Sequence, residues 1–135
     1  MSLLRFIGIG KARDFSQGQI WAYQTRPGEE ASTVLINKVE VDEKLGRIFH
    51  ISVRGVKVKN PHLEGVGVTS ELPHFPVSRE TLEKSLTKFI NTSAPSPEYI
   101  EGYKEWKRAF DLGEAGIFSI SVAEIVNVIE TTLSK

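Results

Sequence analysis

The chain has 135 residues, a formal net charge of zero, 40% hydrophobic and 25% charged residues, and no cysteine. Its length fits one domain over residues 1–135, large enough to bury a core without metals or disulfides. The lack of cysteine excludes a disulfide framework, a thiolate metal site and a cysteine nucleophile, and the charge balance gives no global case for binding nucleic acid or a membrane.

No apolar run approaches the roughly 18 residues of a membrane span. The opening Met1 to Gly10 carries a short apolar run broken by Arg5. It reads as mature protein of the cytoplasm rather than a signal peptide. Leu3, Leu4, Phe6, Ile7 and Ile9 fit a short strand or a docked arm, and Lys11 to Gln17 a loop. Gly8-Ile9-Gly10-Lys11 has the end of a phosphate-binding loop, but Arg5 and Ala12 stand where the pattern needs Gly and Ser or Thr.

Gly18 to Arg26 is the first predicted strand, with Trp21, Tyr23 and Thr25 on one face. Pro27-Gly28 ends it and projects Glu29 and Glu30. Ser32 to Asp42 is the second strand. Apolar residues on both parities imply two covered faces or a bulge near Asn37-Lys38. Asp42 to Gly46 reads as a hairpin loop, and Arg47 to Lys59 as the third strand. Phe49, Ile51 and Val53 share one face, then Val56 and Val58 switch parity, so Gly55 marks a bend.

Residues 61–77 carry three prolines and little periodicity, which predicts a long connection with at most a short strand at Gly65 to Thr69. Leu82, Leu86, Phe89 and Ile90 at helical spacing predict a first helix over 78–91. Ser96-Pro97 opens a second over 97–112, with Tyr99, Tyr103, Trp106 and Phe110 in one stripe. Gly116 to Ile120 reads as a short strand. Ser121 and Glu124 have capping-box spacing ahead of a third helix over 122–133. The sum is an α+β fold: a curled, mainly antiparallel sheet or partly open barrel from residues about 18–60 plus 116–120, with three helices on one face.

Two resemblances attach to these residues. Gly18 to Glu29, Ile48 to Val53 and Ser119 to Glu124 resemble a family of small bacterial α+β proteins that has no known activity. Gly18-Gln19-Ile20-Trp21 and Thr25-Arg26-Pro27-Gly28, within residues 18–42, resemble the start of MazF-like toxin ribonucleases. That resemblance implies a small curled barrel acting on RNA, although Gln19 replaces the family's acidic residue.

The candidate chemistry is sparse. His50, Ser52 and Arg54 share a strand face, and with Glu29 or Glu30 they have the residue types of an acid–base or phosphodiester-cleaving site. Trp21 and Tyr23 could stack a flat ligand, with Arg26, Arg54, Lys57 and Lys59 holding phosphates. Each set has a plain structural alternative: a solvated strand face for the first, core beneath a helix for the second, with Trp21 meeting Trp106 across that interface. The aromatic stripe of the second helix is read as core, or as the surface for a protein partner or a second copy. The histidines at 50, 62 and 74 match no compact metal motif and read as unrelated, with no cofactor implied. The leading expectation is a non-enzymatic binding protein of the bacterial cytoplasm that uses the strand face and residues 61–77. The alternatives are a barrel-like enzyme acting on RNA or a phosphorylated small molecule, and a nucleic-acid-binding module.

Overall fold

The computed structural model describes residues 14–135 apart from Glu64 and Val66. The arm expected at residues 3–9 lies outside that range. The chain is α+β: β1 (Gln19–Tyr23), β2 (Thr33–Asp42), β3 (Gly46–Lys59), β4 (Val68–Ser78), α1 (Arg79–Ser85), β5 (Leu86–Thr92), α2 (Tyr99–Asp111) and α3 (Val122–Leu133). The strands form one sheet in the order β4-β3-β2-β1-β5, and every neighbouring pair is antiparallel. The sheet curls without closing into a barrel, so β4 and β5 are its edges. No helix among the described residues is long and apolar enough to cross a membrane.

The central meander follows the sequence pattern. Gly46, at φ +77°, lets β2 turn directly into β3. The bulge falls at Asn37, since Ile36 pairs with Ile51 and Lys38 with His50. Gly55, at φ +84°, marks the bend: Arg54 pairs with Glu71 and Val58 with Thr69, leaving extra residues on β3. A Cβ at Gly55 would lie 3.1 Å from Ser32 Cα, so the bend packs tightly on the turn after β1. Val56 and Val58 thereby reach the same core as Phe49, Ile51 and Val53.

Three predicted elements need correction. Residues 61–77 are not one long connection, because most of them form β4. Its prolines, Pro73 and Pro76, are tolerated since β4 is an edge strand. The helix expected over 78–91 stops at Ser85, and Leu86–Thr92 leaves it as strand β5. Thr87, Phe89, Ile90 and Thr92 favour a strand, and β1 offers them an open edge, with Trp21 opposite Phe89. The strand expected at 116–120 shrinks to one parallel bridge, Phe118 to Val77, against the outer edge of β4.

The helices also do not share one face. On one side Trp21, Tyr23, Val34, Ile36, Phe49, Ile51, Val53, Phe75 and Val77 pack with Leu82 of α1 and with Val122, Ile125 and Val126 of α3. On the other side α2 lies across β3 and β4 and buries Trp106. Both faces of the sheet are thus covered, which explains why β2 and β3 carry apolar residues on both parities.

Candidate functional site

A buried polar group lies beneath α2. His50, on β3, is fully buried. Its Nε2 is 2.6 Å from Glu40 Oε2 on β2, and its Nδ1 is 2.9 Å from His74 Nε2 on β4. The two imidazole planes are nearly parallel, 14° apart, with centroids 5.1 Å apart. Tyr103 and Trp106 of α2 press their edges onto His50, with centroids 4.7 and 4.9 Å away. Lys107 Nζ reaches Glu40 at 3.7 Å, and Lys38 Nζ sits over the Tyr103 ring.

Local geometry makes this meeting possible. The Asn37 bulge shifts parity so that Lys38 and Glu40 stand on the α2 side. In β4, Ile51 pairs with Phe75 and Val53 with Leu72, so Pro73 and His74 together oppose Ser52. Ser52 Oγ donates to Pro73 O at 2.7 Å and accepts from Asn37 Nδ2 at 2.8 Å. Asn37 Oδ1 in turn accepts from Ser96 N, which ties the approach to α2 onto the sheet. All of these polar atoms are paired, as burial demands.

The electrostatics follow from burial. Burial pushes His50 below the usual histidine range, against the pull of the Glu40 carboxylate. His74 is pushed down to about 4 by burial and by the neighbouring His50. Burial and then Glu40 push the Tyr103 hydroxyl up to about 12. Both rings are therefore neutral near pH 7. The carboxylate fixes the proton positions: His50 Nε2–H donates to Glu40, so His50 Nδ1 accepts from His74 Nε2–H. Glu40 and His74 contact opposite edges of the His50 ring, so the three do not converge on one point. Among the described residues no set of three His, Asp or Glu side chains is placed to hold a metal.

The residues singled out in the sequence are dispersed. Trp21 and Tyr23 lie in the core on the α1–α3 side. Trp21 is packed edge-on against Phe15 and Phe89, and it does not belong to the Trp106 cluster across the sheet. Tyr23 OH shares a 2.8 Å hydrogen bond with Ser32. Glu29 is buried rather than projected. It accepts from Arg26 through both carboxylate oxygens, at 2.9 and 2.7 Å, and from Lys57 N at 2.6 Å. The Arg26 guanidinium holds the Glu29 carboxyl below the usual carboxylate range. Arg26 also donates to Glu130 and Asn127 of α3, and Lys59 N donates to Glu130, so this group clamps α3 to the sheet. Glu30 stays exposed and accepts from Gly28 N.

Within the predicted polar row, His50 and Ser52 are buried under α2, and only Arg54 is half-exposed. Arg54 Nε lies 3.5 Å from Glu71 Oε2, an ion pair without hydrogen-bond geometry. Glu29 and His50 have separate partners, the first toward α3 and the second beneath α2. His62 is exposed in the β3–β4 connection, away from the other two histidines. His74, Glu40 and Tyr103 were missed as site residues. His74 becomes visible only once β4 is recognised as a strand beside β3. The aromatic stripe of α2 packs on the sheet, over the two histidines.

No protein-family model, no curated protein and no solved structure matches the chain.

Proposed function

We propose that the chain is a non-enzymatic interaction protein of the bacterial cytoplasm, with the outer side of β5 as its contact surface. The observation that carries this reading is the contrast between the two sheet edges. β5 exposes residues 87–92 in succession, with Phe89 and Ile90 each close to half exposed, at 47% and 48%. The β4 edge is blunted by Pro73, Pro76 and the Phe118 bridge. β5 is itself bulged against β1 at Thr87 and Ile90, which spoils a regular ladder and offers side chains rather than bare backbone to a partner. Single exposed apolar residues are ordinary on a protein surface, whereas two adjacent ones on an unpaired edge strand are what a partner can bury.

The enzyme alternative needs His50, Arg54 and Glu29 around one ligand atom, and each of these side chains already has an internal partner. The nucleic-acid alternative needs an accessible Trp21 or Tyr23, and both are core residues.

The test is site-specific photocrosslinking in cells, with the crosslinker at Phe89 and, as control, at exposed Glu114. A discrete protein adduct from Phe89 alone supports the reading. Equal labelling at both positions, or robust turnover of RNA or small esters by the isolated protein, would reject it.

A further inference from the structure

We propose that the Glu40–His50–His74 chain is an acid-sensitive latch for α2, holding the helix on the sheet while both rings are neutral and releasing it when both carry a proton. This inference does not depend on the interaction surface at β5.

The argument starts from hydrogen positions. In the neutral pair, His74 Nε2–H points at the His50 Nδ1 lone pair across 2.9 Å, and His50 Nε2–H points at Glu40 across 2.6 Å. The vacant ring nitrogen is His74 Nδ1, which has no hydrogen-bond partner among the described residues. A first proton therefore enters at His74 Nδ1 and leaves the chain of donors and acceptors intact. A second has to enter at His50 Nδ1. It would set two N–H donors head-on at hydrogen-bond distance inside the protein, with both rings charged. The His50 ring cannot turn away, because it is held by Glu40 on one side and by Tyr103 and Trp106 on the others, and the His74 ring is hemmed in by Tyr99, Gly102, Tyr103 and Trp106 of α2, so turning it displaces the helix. The pair must separate, and the element that can move is the one resting on it.

The surrounding charges do not offset a doubly protonated pair. β2 presents Lys38 and Glu40, and α2 presents Lys107 and Tyr103 with Tyr99 beside His74. Further along the same face, Arg54 of β3 pairs with Glu71 of β4. Among the described residues Glu40 is the only carboxylate touching the rings, and Lys107 already draws on it while also pairing with Asp111 at 3.3 Å. Burial lowers both histidines, so release belongs below pH 6.5 and extends toward 4.

α2 is suited to separate. Trp106 is its only buried residue, and it rests on the histidine pair. Its 13 residues are near the length at which an isolated helix is marginal in water. By contrast, α3 is fixed by Val122, Ile125 and Val126 in the main core and by the Arg26–Glu130 pair. Acid should thus free α2, exposing His50 and His74 of the sheet, before it frees α3.

Hydrogen exchange followed by mass spectrometry on the whole chain tests this between pH 7.5 and 4, with rates corrected for intrinsic pH dependence. The expected result is that residues 99–111 lose protection below pH 6.5 while residues 122–133 keep theirs. A two-proton step lets the α2 rate rise by up to about a hundredfold per pH unit. In His74→Gln the amide can still donate to His50 Nδ1 but cannot take up a proton, so the slope should fall to about tenfold per unit and the onset should move to lower pH. Loss of protection in α2 and α3 at the same pH, or no loss in α2 down to pH 4, overturns the latch. An unchanged acid profile in His74→Gln does so as well.

Discussion

Gly102 stands over His74 with no room for a side chain: a Cβ there would lie 2.9 Å from His74 Cβ and 3.4 Å from its Nδ1. A glycine inside α2 is unfavourable for the helix by about 1 kcal/mol relative to alanine. It is tolerated because it brings the helix backbone down onto β4. Gly102→Ala therefore sets a propensity gain against overpacking of about 1–3 kcal/mol. The expected result is a net loss of stability of about 1 kcal/mol in urea unfolding. Trp106 emission should also shift to the red as α2 lifts. A more stable protein with unchanged Trp106 emission would show that α2 is not seated on His74.

The clamp between the β1–β2 turn and α3 should be worth more. Glu29→Ala leaves Arg26 with the carboxylate of Glu130 and the amide of Asn127, and leaves Lys57 N–H without its buried acceptor. Removing one partner of a buried ion pair costs about 3–5 kcal/mol, and the Arg26 side chain is slightly exposed, so the lower end applies. The pH dependence has a definite sign. The Arg26 guanidinium lowers the folded-state carboxyl of Glu29, so its contribution is complete above the unfolded value near 4.5 and is lost as pH falls below it. Urea midpoints at pH 7 and pH 3.5 should differ less in Glu29→Ala than in the parent chain. A variant that loses under 1 kcal/mol at pH 7 would contradict the clamp.

These residues also mark what could be read without coordinates. The β2–β3 hairpin, the Asn37 bulge and the Gly55 bend were legible because alternation, its two breaks and the turn glycine are all local. Glu29 was misread because the two side chains after Pro27-Gly28 look equivalent in sequence, and only Arg26 and Lys57 N, brought together by the sheet, draw one of them in. β4 was hidden by prolines that are permitted only on an edge, and edge position is a property of the whole sheet. β5 was hidden because Leu82, Leu86, Phe89 and Ile90 fit a helix locally, whereas pairing with β1 ends that helix at Ser85. The histidine pair depended on recognising β4: without it beside β3, nothing in the spacing of His50 and His74 suggests contact.

The β5 surface separates stability from binding. Phe89 is about half exposed and packs edge-on to Trp21 at 5.8 Å. Phe89→Thr keeps strand propensity and loses the aromatic contact, for an expected cost of about 1 kcal/mol. A crosslinker at Ile90 should then lose its partner adduct while thermal unfolding shifts by only a few degrees. Retained crosslinking would place the contact elsewhere.

The two helix starts on the α1–α3 face make a matched pair. Ser121 Oγ accepts from Glu124 N at 3.2 Å, and Ser121 N donates to Glu124 Oε1 at 2.9 Å, completing the capping box that the sequence spacing predicts. Ser78 occupies the same position before α1 but makes no capping bond, and its Oγ accepts from Ser119 instead. Replacing a working cap with alanine costs about 1 kcal/mol. Ser121→Ala should therefore lose about that much, while Ser78→Ala, which gives up only an exposed hydroxyl pair, should lose about half or less. Urea midpoints at constant slope measure both. Equal losses would mean that the hydroxyl pair at Ser78 is as strong as a cap, and that the α1 start is fixed by its bridge to residue 119.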